Sequence, residues 1–180
     1  MFIQGHAGLK ICLIMAVVVG VCGSSPAAAQ RRKTVLNPAH CTHLSQEQQT
    51  WLPQEFHPYL EYTRVCGIQN SKSETVMFLI SVHADLYYKA QPGESVHQVE
   101  MPSPLLFLPS GEVSGSLPYN FPDDPPAELR VTFAQWERGF PERIELYLTD
   151  PRAGGDRSLP PLVWDASQKK FVSKEKGNHG

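Results

Sequence analysis

Prolines are concentrated in the second half of this chain, where twelve of them lie between Pro92 and Pro161. The 180-residue sequence has 16 prolines, and all but Pro26 lie after residue 29. A proline lacks a backbone N–H donor and disfavours helix in the residue before it. The segments between these prolines are therefore expected to be short strands separated by turns. Because none has the length of a helical crossover, the strands are expected to pair antiparallel.

The first 29 residues have the pattern of a secretory signal peptide. A start ending in Lys10 precedes an apolar run at 11–21, and small residues lead up to Ala29. The apolar run is well short of the roughly 20 residues that cross a bilayer. We expect cleavage near Ala29 and a periplasmic or secreted product. Lipid anchoring at Cys22 is the alternative, because the residues before it resemble a degenerate lipoprotein box.

Cleavage leaves residues 30–180 with two of the four cysteines, Cys41 and Cys66. Exported proteins fold in an oxidising compartment, which favours a disulfide between these two residues. Such a bridge contributes about 3–4 kcal/mol to stability by closing its loop. The sequence therefore predicts one disulfide and no transmembrane segment in the mature chain.

A short helical region is expected between the two cysteines. Ser45 and Gln48 fit a capping box, which predicts a helix at 46–51. A second helix is predicted near 58–65, with Cys66-Gly67 as its stop. The disulfide is then expected to join the end of the helical region to the segment that precedes it.

Alternation of apolar and polar residues predicts a long strand after this region. The even positions from Val76 to Tyr88 are all apolar, which indicates one buried face and a bend near 84–85. Met77 and Leu79 interrupt the polar face. The start of the strand is therefore expected to be covered on both sides.

Shorter alternating segments predict the rest of the fold. The clearest is a hairpin of 129–133 with 144–148, whose turn contains Gly139. A proline-rich loop at 117–126 precedes it, since four prolines in ten residues exclude a central strand. The other candidate strands lie at 95–100, 105–108 and 112–116, and in a closing hairpin of 162–164 with 171–172.

Together these elements predict an α+β fold that is mainly β. We expect an antiparallel sheet, or a small sandwich or half-barrel, of six to seven short strands preceded by a short disulfide-clamped helical segment. The predicted divisions are a signal peptide at 1–29, a flexible basic N-terminal lead at 30–40, a single globular domain at 41–172 and a polar C-terminal tail at 173–180.

Aromatic residues around the proline-rich loop and the main hairpin are the candidate partner-binding residues. Exposed aromatic side chains are effective anchors for another protein. The same side chains folded back over the sheet would form a lid on the core instead. The four candidates are Tyr119, Phe121, Trp136 and Phe140.

The metal candidates are His40 and His43, which flank Cys41. Imidazole and thiolate groups suit copper or zinc, but a bridged Cys41 cannot serve as a thiolate ligand. The spacing also lacks the two paired ligand clusters of a structural zinc site. We therefore expect a solvated loop beside the disulfide, with neither metal nor cofactor.

Catalytic chemistry has no clear candidate. Ser81, His83 and Asp85 lie in line on the predicted long strand, whereas the members of a catalytic triad normally come from separate elements. This face of the strand is predicted to be wet instead. The chain also lacks both glycine-rich phosphate-binding patterns, GxGxxG and GxxxxGK[ST].

The sequence favours a non-catalytic function in the cell envelope. We expect an exported, periplasmic binding or assembly protein that contacts another envelope or secreted protein through the 117–126 loop or an open sheet edge. The alternative is an inhibitor or immunity-type protein against an extracellular or periplasmic hydrolase or toxin, and a small hydrolase ranks below both. Lys/Arg and Asp/Glu, at 16 and 18, nearly cancel, so no nucleic-acid partner is expected.

Overall fold

Two antiparallel sheets and a short helical segment stack as three layers in the computed structural model, which describes residues 32–91, 100–123 and 126–174. The predicted fold class is confirmed, with ten strands rather than six to seven in the described part of the chain. Sheet A contains β1 (Thr34–Val35), β6 (Glu128–Glu137), β7 (Phe140–Asp150), β8 (Gly155–Ser158), β9 (Leu162–Asp165) and β10 (Lys170–Ser173). Sheet B contains β2 (Thr63–Gln69), β3 (Thr75–Val82), β4 (Leu105–Phe107) and β5 (Val113–Ser116).

The predicted main hairpin forms the centre of sheet A. Strands β6 and β7 pair with Leu129 opposite Leu148 and Phe133 opposite Ile144, as their alternation predicts. Gly139, at the turn, has a φ of 84°, which a glycine adopts without a steric penalty. The closing hairpin is also confirmed, as β9 paired with β10.

Strand β3 belongs to sheet B, the middle layer, and side chains on both of its faces are buried. Met77 and Leu79 face the core that sheet B shares with sheet A. Ile80 and Val82, on the opposite face, pack against the helical segment. The expectation that this strand is covered on both sides is confirmed.

The helical segment begins as predicted and ends earlier. Helix α1 (Gln46–Thr50) starts at a capping box in which both Ser45–Gln48 hydrogen bonds are present. A 3-10 helix follows at Gln54–Tyr62 and buries Phe56. The prediction of helix at 58–65 was wrong beyond Tyr62, because the chain continues as β2 and pairs with β3 over its whole length. Cys66-Gly67 lies within this strand.

The predicted long strand also ends early, at Val82 rather than near residue 89. Helix α2 (Ala84–Ala90) follows it. Its Tyr87 ring packs edge-on against Tyr59 and Tyr62, with ring centroids 5.6 and 5.2 Å apart. The helix therefore places the half-buried Tyr87 side chain against the helical layer, a contact that alternation alone could not reveal.

The segment predicted as a flexible basic lead contributes strand β1, which pairs with the outer edge of β6. Lys33 Nζ lies 2.6 Å from Glu145 Oε2 on β7. The Arg32 guanidinium lies 4.8 Å from the Trp136 ring centroid. These contacts hold residues 32–35 against sheet A.

Several predictions concern residues outside the described ranges. They are the signal peptide and the start of the lead (1–31), most of the candidate strand at 95–100, residues 124–125 of the proline-rich loop, and the tail from residue 175.

The predicted disulfide between Cys41 and Cys66 is present, with the two Cα atoms 4.3 Å apart. Next to it, Thr42 and Val65 exchange two backbone hydrogen bonds of 2.9 Å. The segment before α1 is thus fixed to the free edge of β2. The disulfide encloses α1 and the 3-10 helix, and holds this thin layer on sheet B.

We predict that replacing both cysteines by alanine lowers the free energy of unfolding by about 3–4 kcal/mol, because the unfolded chain loses the constraint on a loop of 25 residues. Urea denaturation of wild type and the double variant measures this loss. Dithiothreitol should lower the stability of wild type by a similar amount and leave the double variant unchanged. Equal stability of wild type and variant would contradict the structural role of the bridge.

Candidate functional site

A cleft of about 630 Å³ lies between β5, the edge strand of sheet B, and β10, the edge strand of sheet A. Proline and serine residues complete its walls around an apolar floor. The hydrophobic side chains that line it are Leu105, Val113, Tyr119, Leu159, Leu162 and Phe171. A cleft with such a floor can take apolar side chains of a ligand.

Both strands turn backbone hydrogen-bonding groups towards this cleft. The Lys174 N–H donates to Pro161 O at 3.1 Å, and this register turns the N–H and C=O groups of Phe171 and Ser173 away from β9. The Leu117 N–H donates to Pro104 O at 2.9 Å, which likewise turns the groups of Ser116 away from β4. Within the described residues, no strand pairing joins β5 to β10.

The two strands nevertheless approach closely at one point. A Cβ placed on Gly115 would lie 3.2 Å from Phe171 Cβ and 3.3 Å from Phe171 O. A larger residue would crowd Phe171 by a few tenths of an ångström, so glycine favours this close approach. The two edges touch at this contact, and within the described residues no strand pairing extends from it.

The cleft has a positive rim. Lys170 is the charged residue among the described lining residues. Lys169 directly precedes β10 in the sequence, and Lys174 directly follows it. All three lysines are exposed. This rim favours a ligand that carries negative charge.

The four sequence-predicted aromatic residues lie in different environments. Tyr119 is half-buried and lines the cleft, and its hydroxyl oxygen lies 3.4 Å from Arg157 Nη2. Half-buried Phe140 packs beside Trp164, with ring centroids 4.8 Å apart. Phe121 and Trp136 are buried in the core. The lid interpretation therefore describes these two, and only Tyr119 of the four lines the cleft.

Sequence reasoning missed most of the cleft because its lining comes from several short segments. The tilted rings of Trp164 and Phe171 pack together on the closing hairpin, with centroids 5.1 Å apart, and Phe171 lines the cleft. The apolar residues of that hairpin were visible in the sequence as strand residues. Nothing in the sequence indicated that β5 would lie beside β10.

The predicted metal candidates, His40 and His43, are both exposed. The histidine beside the disulfide is His83, which has a ring nitrogen within 4.8 Å of the sulfur atoms of Cys41 and Cys66. The pairing of β2 with β3 brings His83 close to the two cysteines. Because His83 is far from both of them in the sequence, this proximity could not be predicted from the sequence.

The face of β3 that carries Ser81 was predicted to be wet, and that prediction was wrong. Ser81 is fully buried on the same face of β3 as the core residues Met77 and Leu79, and His83, directly after the strand, is 5% exposed. Ser81 Oγ has no hydrogen-bond partner among the described residues, so it is not joined to His83 as a nucleophile would be to its base. Asp85 lies on α2, with its Oδ1 4.0 Å from His83 Nδ1.

Burial lowers the pKa of His83 to about 4. The nearby Asp85 carboxylate opposes this shift, and the Arg64 guanidinium adds to it. The imidazole is therefore neutral at pH 7. Below about pH 6.5 this histidine binds a proton in the unfolded chain but stays neutral in the folded one. The free energy of unfolding therefore falls as the pH is lowered.

No known protein family, curated protein or solved structure matches this chain. Among the described residues, no helix is both long and apolar enough to cross a membrane.

We predict that acid destabilises the protein through His83. The unfolded imidazole titrates near pH 6.5 and the folded one near pH 4, so the unfolded state binds more protons between these values. Between pH 7 and pH 4, wild type should lose about 3 kcal/mol more stability than His83→Gln. Urea denaturation of both proteins at the two pH values measures the difference. Parallel losses would show that His83 titrates normally in the folded state.

Proposed function

We propose that this protein is an exported, periplasmic binding or assembly protein, and that its cleft between β5 and β10 holds an extended segment of a partner protein. The observation that carries the proposal is the cleft itself, an apolar floor bordered by two sheet edges that do not pair. Extended segments bind to open edges by adding backbone hydrogen bonds, while pockets for alternate side chains select the sequence.

The other edges are less suited to this function. Thr42 already pairs with the edge of β2 at Val65, and β1 is only two residues long. Strand β8 is only four residues long and has three exposed residues in a row. Strands β5 and β10 combine free backbone groups with an apolar surface.

The chemistry of the cleft favours a particular kind of segment. Its floor accommodates alternating apolar side chains, and the Lys169, Lys170 and Lys174 rim favours acidic residues beside them. The expected ligand is an extended segment in which apolar and acidic residues alternate.

Export is supported by the apolar run at 11–21 and by the disulfide, because disulfides persist mainly in oxidising compartments.

We predict that the full-length chain, expressed in a bacterium with a functional secretion system, yields a periplasmic product that begins at Gln30. Intact mass and N-terminal sequencing measure this. A lipid-modified product that begins at Cys22 would support anchoring, and a chain that keeps residues 1–29 in the cytoplasm would contradict export.

The cleft is tested by a matched pair of surface variants. Val113, 38% exposed, lines the cleft, whereas Val172, 36% exposed on β10, is absent from its lining. We select decapeptides from a random display library on the immobilised mature protein and measure their affinity by fluorescence anisotropy. Val113→Gln should weaken binding at least tenfold, because it places a polar amide over the apolar floor without changing the charge of the cleft. Val172→Gln should leave the affinity within twofold.

The same peptides also test the positive rim. Replacing their acidic residues by the corresponding amides should weaken binding severalfold at low salt and less at high salt. Equal losses in Val113→Gln and Val172→Gln, or a library that yields no binder, would contradict the proposal. Tight one-to-one inhibition of a secreted hydrolase, unaffected by Val113→Gln, would favour the inhibitor alternative.

A further inference from the structure

The surroundings of the disulfide hold a third soft-metal ligand. A His83 ring nitrogen and the sulfur atoms of Cys41 and Cys66 lie within 4.8 Å of one another. Zinc–sulfur bonds are about 2.3 Å long and zinc–nitrogen bonds about 2.0 Å, so ligand atoms around one ion lie roughly 3.5–4 Å apart. Once the sulfur–sulfur bond is broken, small side-chain movements bring the three atoms to that spacing.

His83 is positioned as an unused ligand. Its side chain is only 7% exposed, and Nε2 is buried with no hydrogen-bond partner among the described residues. Ser81 Oγ, on the neighbouring part of β3, is likewise buried with no partner in the described part of the chain. Burying such groups unpaired costs free energy, which an ion bound at Nε2 would offset for His83.

A carboxylate lies close to the His83 imidazole. Nδ1 lies 4.0 Å from Asp85 Oδ1 on α2. Histidines that bind metals commonly direct the non-ligating nitrogen towards a carboxylate, which fixes the tautomer and orients the ring. The negative charge of Asp85 favours the tautomer that is protonated at Nδ1, which leaves a lone pair on Nε2.

The site has an approach from solvent. A surface cavity of about 470 Å³ is lined by Cys41, His83 and Asp85, among others. Cys41 is half-buried, whereas Cys66 is almost fully buried. A reductant entering through this cavity reaches the Cys41 sulfur first.

We propose that reduction of the Cys41–Cys66 disulfide converts this cluster into a binding site for one soft d10 metal ion, Cu(I) or Zn(II), held by two thiolates and the His83 imidazole. Thiolate and imidazole ligands are the set that these ions prefer. The oxidised protein lacks the thiolates and does not bind the ion. The site is separate from the β5–β10 cleft and does not depend on the function proposed for it.

The reductant is a dithiol. Its first thiolate attacks Cys41 Sγ and breaks the sulfur–sulfur bond, so that Cys66 leaves as a thiolate. Its second thiolate then attacks the mixed disulfide, releases Cys41 and closes the reductant's own disulfide. Two electrons pass to the protein, and metal binding releases the protons of the two thiols to solvent.

Metal titrations in the presence of a chromophoric chelator test the site. Excess dithiothreitol reduces the mature protein and is removed under argon before Zn(II) or, in a second series, Cu(I) is added. Reduced wild type should bind one ion per chain, and oxidised wild type none. Reduced His83→Gln should bind at least tenfold more weakly. The matched control His43→Gln, which changes an exposed histidine near the same cysteines, should bind as wild type does.

Circular dichroism and thermal unfolding accompany each titration. The ion should raise the melting temperature of reduced wild type, or refold it if reduction has unfolded the chain, and should do so much less for His83→Gln. Equal affinities for reduced wild type and His83→Gln would overturn the proposal, as would equal binding by the oxidised protein. Binding by both reduced proteins without any effect on melting would show adventitious thiol ligation and would overturn it as well.

Discussion

The pairing of β2 with β3 is the interaction on which the rest of the structure depends. It places seven residues, Thr63–Gln69, along the whole of β3, so that sheet B has one face on sheet A and the other on the helical segment. Burial of both faces supplies most of the hydrophobic stabilisation of this part of the chain. The helical layer is too short to be stable alone, and the Cys41–Cys66 disulfide keeps it against sheet B. The same pairing brings His83 to the sulfur atoms.

Local patterns in the sequence were sufficient for some elements and not for others. The capping box at Ser45, the hairpin at Gly139 and the covered start of β3 each depend on residues close together in the chain, and all three were predicted correctly. Strand β2 and helix α2 were not predicted correctly, because their conformations depend on residues distant in the sequence. Strand β2 forms by pairing with β3, and α2 packs against aromatic rings of the helical segment. Alternation after Val82 is equally compatible with the strand that was predicted and the helix that forms.

The candidate site was harder to predict, because it is formed by the edge strands of two sheets and not by a local sequence motif. Its backbone groups belong to Ser116 on β5 and to Phe171 and Ser173 on β10, far apart in the sequence. Aromatic clustering drew attention to Phe121 and Trp136, which serve the core instead. An open sheet edge was expected in general terms, but the order of strands that exposes it follows only from the tertiary structure.

Hydrogen–deuterium exchange of the mature protein, free and bound to a selected peptide, tests the central claim most directly. If a segment pairs with the cleft edges, the amides of Ser116, Phe171 and Ser173 should exchange more slowly in the complex, since they point away from their neighbouring strands. The amides of β1 and β2, at the other edges of the two sheets, should be unaffected. Slowed exchange confined to β1, β2 or the proline-rich loop, with β5 and β10 unchanged, would contradict the account.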